Sequence, residues 1–231
     1  MQKAQPPASP PAGTRAERRK ARTAGAILDA AEGLFLDRGF AATTIGDLSD
    51  AADVAIGSIY AHFGDKEGVY AALIDRALEL DRKYSGAGLE KGDSPLERLV
   101  GLGEGYLTFA RSYPGYFRLF RFPPHDRPGA GGKGGPEAKV AARIGEETAR
   151  MAKLLGEAIA EGVVRPMDPT ATARFLWAAW DGVIASHLGP ANMDIDEPEF
   201  DAMLNRFRET IIVGIVEPAA LRDEASATTD A

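Results

Sequence analysis

Residues 43–66 read TTIGDLSDAADVAIGSIYAHFGDK, and the order of residue types in this stretch decides the fold. Polar helix-start residues open it. A short amphipathic helix follows, then a three-residue turn, then a second short helix that begins with small residues. Tyr60, His62 and Lys66 lie at the end of that helix and just beyond it. The pattern predicts a helix-turn-helix, in which one helix lies across a DNA backbone and the other enters the major groove. Hydroxyl-bearing and cationic side chains on either side would then hold phosphates.

Upstream, Ile27, Ala30, Ala31, Leu34 and Phe35 recur at helical spacing from a start at Arg15, and Arg38-Gly39 supplies the stop. Thr44-Ile45-Gly46-Asp47 has the form of a capping box with Asp in place of Glu. Ile45 and Leu48 face inward with Ala51 or Ala52, and Val54 and Ile59 complete a small core. A fourth helix is expected from Asp65 to about Lys83, carrying Val69, Leu73, Ala77 and Leu80, with residues 85–93 (SGAGLEKGD) breaking it. Ser94-Pro95 starts the next helix, since proline in the first turn loses no needed N–H. That helix stops at Tyr113-Pro114-Gly115, and a short one is expected over Tyr116–Arg121. A Pro/Gly loop spans 123–136. Later helices are expected over Glu137–Gly162, from Asp168-Pro169 to Leu188, and from Glu197-Pro198 onward. No strand pattern competes. The expected fold is all-α with about nine helices: a disordered arm (1–14), a DNA-binding domain (15–64), an effector-binding and dimerisation domain (65–217) and a flexible tail (218–231).

The net charge of −7 looks wrong for a nucleic-acid binder until it is divided. Residues 1–22 carry +5, from Lys3, Arg15, Arg18, Arg19, Lys20 and Arg22 against Glu17; the rest carry −12. Such asymmetry suits a protein that meets DNA at one end and repels it elsewhere. Whether the basic arm reaches the minor groove or only raises the association rate is open at this stage. The chain has no cysteine, which excludes disulfides and thiolate metal sites and fits a reducing compartment. His62, His125 and His187 are too scattered for a metal cluster. The longest apolar runs fall far short of the ~20 residues of a membrane span, and no secretory signal opens the chain. The expectation is a cytoplasmic protein with no cofactor.

Arg22–Lys66 resembles the N-terminal domain of the TetR family of bacterial transcriptional regulators. Ile27-Leu28-Asp29-Ala30-Ala31, Leu34-Phe35, Arg38-Gly39-Phe40, Thr43-Thr44 and Gly57-Ser58-Ile59-Tyr60-Ala61-His62-Phe63 with Lys66-Glu67 carry the resemblance. It implies a dimer that binds a palindromic operator in double-stranded DNA. The residues it points to are Thr44 on a phosphate, Ile56, Gly57 and Ser58 at the start of the recognition helix, and Tyr60, His62 and Lys66 at the backbone. Lys66 also has a physical argument. A cation in the first turn of a helix is disfavoured by a few tenths to ~1 kcal/mol, and a phosphate there would reverse the sign. Two positions depart from the family pattern: Asp53 stands where Gly is usual, and Ala55 where Ser or Thr is usual. An Asx-type turn, with Asp53 accepting from the Ala55 or Ile56 N–H, would compensate.

In the C-terminal two-thirds, aromatic residues gather around 106–122 and 175–180. Each alone reads as core. As a group, Phe109, Tyr113, Phe117, Phe120, Trp177 and Trp180, with Asp181 or His187 to orient a ligand, are the candidate lining of an effector pocket. Val183, Ile184, Met203, Phe207 and Ile211, together with Trp180, offer more apolar area than the end of a monomer comfortably exposes, and are the candidate dimer interface. The family resemblance implies a repressor released by a small, largely apolar effector. The alternatives are an enzyme, for which no nucleophile triad, phosphate loop or metal-ligand pair is present, and an all-α protein-interaction module, which leaves Thr44, Tyr60, His62 and Lys66 unexplained.

Overall fold

A computed structural model describes residues 14–124, 127, 133–189 and 195–218. The arm before Thr14, half of the Pro/Gly loop including His125, and the tail beyond residue 218 lie outside the described residues. Among those described there are nine α-helices: α1 (Arg15–Asp37), α2 (Ile45–Ala52), α3 (Ile56–Phe63), α4 (Lys66–Leu89), α5 (Pro95–Ser112), α6 (Pro114–Arg121), α7 (Pro136–Ala160), α8 (Pro169–Leu188) and α9 (Glu197–Ile215). The only extended pairing among them is one antiparallel bridge between Val164 and Val216.

By packing, the chain divides into two compact units. The first unit runs through Glu79 and takes in Ser112–Val140; the second comprises Leu80–Arg111 and the chain from Ala141 onward. The first half of α4, and α6, therefore pack with the helix-turn-helix.

Burial of the predicted α1 stripe forms the first unit's core. Ile27, Ala31 and Phe35 are buried on α1, and Phe40, Leu48, Ile59, Val69, Tyr70 and Leu73 are buried in the same unit. Phe35, Phe40 and Tyr70 form an aromatic triad with ring centroids 5.2, 5.8 and 6.3 Å apart, in tilted and edge-on arrangements. Such contacts add to area burial because ring edges meet ring faces. The Tyr70 hydroxyl donates to the Leu119 carbonyl of α6 at 3.3 Å, and burial pushes its pKa upward. Arg127 is buried with its guanidinium over the Tyr70 ring and paired to Glu67 and Glu137.

In the second unit, α4 differs from expectation. It does not end near Lys83 but continues through Ser85-Gly86-Ala87-Gly88 to Leu89. The glycines are there for crowding. A Cβ at Gly88 would overlap the Gly101 carbonyl, one at Gly101 would overlap the Gly88 carbonyl, and one at Gly105 would overlap Tyr84. Small residues let α4 and α5 approach backbone to backbone, and packing outweighs glycine's low helix propensity. Beside this crossing, the buried Arg143 pairs with Asp81 at 2.6 Å and with Glu147, and Ser85 donates to Asp81. Leu99, Leu154, Leu155, Ala158, Val164, Ala173 and Leu176 make the adjoining apolar core. α6 also begins earlier than expected, at Pro114, because proline at the first helical position is already set for the helix.

Gly88→Ala should therefore cost about 1–3 kcal/mol by overpacking, a fall in Tm of about 2–12 °C for a chain of this size. Gly86→Ala lies on the same helix, where a Cβ meets nothing within 4 Å. It should leave Tm unchanged or raise it. Thermal melts of the two variants check this.

Candidate nucleic-acid interface

The interface begins at the turn between α1 and α2. Thr43 is fully buried and its hydroxyl donates to the Gly39 carbonyl at 2.8 Å, so it ties down the end of α1. Thr44 is exposed and caps α2: its Oγ1 accepts from the Asp47 N–H at 3.1 Å, while Asp47 accepts from the Thr44 N–H at 2.8 Å. This is the expected capping box. The Thr44 hydroxyl also donates to Asp47 at 2.6 Å. That bond, followed by the backbone one, holds the Asp47 carboxyl below the usual carboxylate range.

Asp53 at the α2–α3 turn is left-handed, with φ 52° and ψ 51°, the only such non-glycine among the described residues. Its expected Asx turn is not formed: the Asp53 carboxylate accepts from neither the Ala55 nor the Ile56 N–H, and Ala55, the residue before α3, offers no side-chain cap. The turn closes through Ser49, whose hydroxyl donates to the Val54 carbonyl at 2.5 Å and whose own carbonyl accepts from the Val54 N–H at 3.1 Å. Ser49 was not anticipated. A serine in the last turn of a helix, five residues before the carbonyl it meets, carries no distinctive sequence signal.

Helix α3 has two clean faces. Ile59 is fully buried, and Ser58, His62 and Phe63 are half-buried beside it. Ile56, Gly57, Tyr60 and Ala61 are exposed, at 49% for Ile56 and 53% for Tyr60. At about 100° per residue these four share one arc of roughly 140°. A Cβ at Gly57 would meet nothing within 4 Å. Two large apolar side chains and a glycine thus face outward from an eight-residue helix held by one buried isoleucine. Of the predicted contact residues, Ile56, Gly57 and Tyr60 lie on this face, and Ser58 and His62 lie on the half-buried flank. Ala61 joins the exposed face; it was missed because alanine announces nothing.

Lys66 stands differently from its sequence reading. Its ammonium donates to the carbonyls of Phe40 and Thr43, each at 2.7 Å, and reaches Ala41 at 3.4 Å. It also lies 4.4 Å from the centroid of the Phe40 ring. The carbonyls and the ring face offset the unfavourable helix dipole, so the dipole argument for a phosphate at this position loses its ground. Lys66 pins the α1–α2 turn to the start of α4.

The candidate effector residues are divided between the two units. Tyr113, Phe117 and Phe120 are buried in the first unit, and Phe109, Trp180 and Asp181 in the second, where Trp177 is half-buried. Asp181 accepts from the Tyr106 hydroxyl at 2.8 Å, and the Trp180 indole donates to the Gly103 carbonyl at 2.9 Å. His187 meets the Ile195 carbonyl at 3.0 Å and stacks on Phe200, which is a helix-end packing role. A groove of about 570 Å³ lies along α8 and α9. Its lining includes Phe175, Ala179, Val183, Met203, Phe207 and Ile211, and it contains none of the candidate effector residues. Four of the five candidate dimer residues line it. The fifth, Ile184, is fully buried within its own unit and supports the face from beneath; Trp180 is likewise buried, packed on Phe207 with centroids 4.9 Å apart.

Two family models match the sequence: bacterial regulatory proteins of the tetR family over residues 27–73, and the tetracyclin repressor-like C-terminal domain over residues 99–207. The chain belongs to the TetR family. It is 38% identical over 79 residues to the HTH-type transcriptional repressor KstR2 of Mycobacterium tuberculosis. That match covers 34% of this chain and 39% of the relative. Among solved structures, NalD, the secondary repressor of the MexAB-OprM multidrug efflux pump in Pseudomonas aeruginosa, superposes with a TM-score of 0.66 at 21% identity over 87% of this chain and 99% of that one. AibR in complex with isovaleryl coenzyme A and operator DNA superposes at 0.61, with 21% identity over 80% of this chain and 97% of that one. These structural likenesses establish the fold. Among the described residues no helix is long and apolar enough to cross a membrane.

Because Asp53 makes no cap, Asp53→Gly should leave Tm unchanged or raise it by up to about 4 °C, as glycine relieves the left-handed strain. A fall would restore the Asx reading. Ser49→Ala should lower Tm through the lost bond to Val54, worth about 1 kcal/mol. The Thr44–Asp47 box has its own pH signature. A carboxyl held low in the folded state contributes stability above its unfolded pKa, and loses it as pH falls through the folded value. Thr44→Ala should therefore narrow the stability gap to wild type below the usual carboxylate range, read from urea midpoints across that window.

Proposed function

We propose that the chain is a sequence-specific DNA-binding transcriptional regulator, acting as a dimeric repressor that a small-molecule effector releases from a palindromic operator. The observation that carries this reading is the bare outward face of α3. A folded protein does not expose Ile56 and Tyr60 side by side on a short, singly anchored helix without a partner for them. The groove-facing start at Ile56 and Gly57 leaves room for the backbone to approach base edges. Tyr60 supplies a phenol to the phosphate backbone, Thr44 and His62 flank the helix, and Lys66 positions it.

One such helix reads only a few base pairs, so specificity requires two. The α8–α9 groove supports dimerisation: Phe175 is 62% exposed beside Val183, Met203, Phe207 and Ile211. Pairing this face across a two-fold axis would present two α3 helices to half-sites about one helical turn apart, ~34–36 Å. Helix α4 supports the release step, because it is continuous from Lys66 in the first unit to Gly88 in the second. An effector in the second unit that favours one setting of α4 would bias the anchor of the reading helix, and only its differential affinity for the two settings can drive release. The effector is expected to be largely apolar. The repressor KstR2 and the operator complex of AibR support this reading by kinship of sequence and fold.

Selection of bound sequences from a random duplex library at near-physiological salt should enrich a two-fold symmetric motif. On that duplex, Tyr60→Ala should weaken binding about 10- to 100-fold, as expected for losing ~1–3 kcal/mol of contact, with Tm unchanged because the side chain is exposed. Val183→Asp should yield monomers by sedimentation and lose the motif's symmetry. Wild-type binding by Tyr60→Ala would contradict the assignment of α3 as the reading helix.

A further inference from the structure

The basic arm of the sequence is not a loose tail from Arg15 onward: it is the first two turns of α1. Thr14 and Glu17 form a complete capping box at its start, with Thr14 Oγ1 accepting from the Glu17 N–H at 3.3 Å and Glu17 accepting from the Thr14 N–H at 2.6 Å. The first buried residue of α1 is Ile27. Arg15 thus stands roughly 18 Å along the helix from the first core contact. Every residue from Thr14 to Arg22 is exposed.

On a helix at about 100° per residue, Arg15, Arg18, Arg19 and Arg22 fall within a single arc of about 100°. Lys20 lies outside that arc. The four guanidinium groups line a stripe about 10 Å long on the side of α1 nearly opposite Ile27 and Ala31. In the free protein this is an unfavourable arrangement twice over. Arg15–Arg19 and Arg18–Arg22 are like-charge i,i+4 pairs, and all four cations sit toward the positive end of the helix dipole. A polyanion laid along the stripe would relieve both. The stripe carries no apolar side chain, so it lacks the greasy face that a membrane-surface helix needs. The rest of the chain, at −12, is repelled by the same polyanion, which confines contact to this end.

We infer that the Arg15–Arg18–Arg19–Arg22 stripe of α1 is a second DNA contact, a rigid comb that seats on backbone phosphates outside the bases read by α3. This rests on the DNA-binding reading above and deepens it. The stripe gives no sequence information; it lengthens the footprint and fixes the register of the dimer on the duplex. At 3.4 Å of axis per phosphate on one strand, its length matches about three phosphates.

Two variants test it on the duplex enriched by wild-type protein, with helicity and Tm confirming that each folds. The first replaces all four arginines, Arg15→Gln, Arg18→Gln, Arg19→Gln and Arg22→Gln. The second inserts two alanines between Thr23 and Ala24, which keeps the charge but turns the stripe by about 200°. Both should bind at least 10-fold more weakly at 0.15 M salt, and hydroxyl-radical footprints should shorten at their outer edges. For the first variant the slope of log K against log salt should become shallower by about 2–3 per protomer, at ~0.9 for each phosphate lost. If the insertion variant binds like wild type while the glutamine variant is weakened, the arm acts by net charge alone and the seated comb is wrong. If both bind like wild type, the stripe touches no DNA. A wild-type protein that enriches no motif at all would instead fail the underlying reading, and this one with it.

Discussion

The Lys66 ammonium, held between the carbonyls of Phe40 and Thr43 and capped by the Phe40 ring, is the contact on which the reading end depends. It joins three parts that are distant in sequence: the stop of α1, the start of α2 and the start of α4. A loop carbonyl has two lone pairs and an ammonium three protons, so one side chain can satisfy several groups that a tight turn leaves without helical partners. Charge-assisted bonds of this kind are stronger than neutral ones. Around the same point, Thr43 ties the α1 terminus, Thr44 starts α2, and the Phe35–Phe40–Tyr70 triad fills the space beneath. The result is a base on which α3 rests through Ile59, with Ser58, His62 and Phe63 half-buried beside it and Ile56, Gly57, Tyr60 and Ala61 exposed.

The second unit solves a different problem. Its helices are brought together by absence of side chains at Gly88, Gly101 and Gly105, and by a buried Asp81–Arg143–Glu147 group. Charges this deeply buried are stable only while each is matched by a neighbour. Since α4 carries both Lys66 and Asp81, one helix is shared by the reading base and by the polar centre of the second unit.

Much of this was legible in the sequence, for identifiable reasons. The α1 stripe, the Thr44 box, the proline starts of α5 and α8, and the position of α3 are local signals, and local chemistry decides them. The end of α4 was misread because SGAG looks like a break, and only the opposing glycines of α5 reveal the crossing that makes it helical. Lys66 reads from the sequence only as a cation at a helix start, and its main-chain partners are invisible there. Its acceptors are main-chain carbonyls more than twenty residues upstream, which no spacing rule exposes. The aromatic clusters read as a group from composition, while the bonds from Tyr106 to Asp181 and from Trp180 to the Gly103 carbonyl, which span more than seventy residues, have no sequence signal. Ile184 illustrates the same limit, since period alone cannot say whether an apolar residue faces its own unit or another copy.

The role of Lys66 is the point on which anchoring and direct contact make opposite demands. Backbone amide hydrogen exchange over residues 40–48, compared between wild type and Lys66→Met, separates them. Exchange in that turn and at the start of α2 should be markedly faster in Lys66→Met, with α5–α9 unchanged and DNA affinity lost. Unchanged exchange over 40–48, with affinity lost and the salt dependence shallower by about one phosphate's worth per protomer, would make Lys66 a phosphate contact and contradict its role as the anchor.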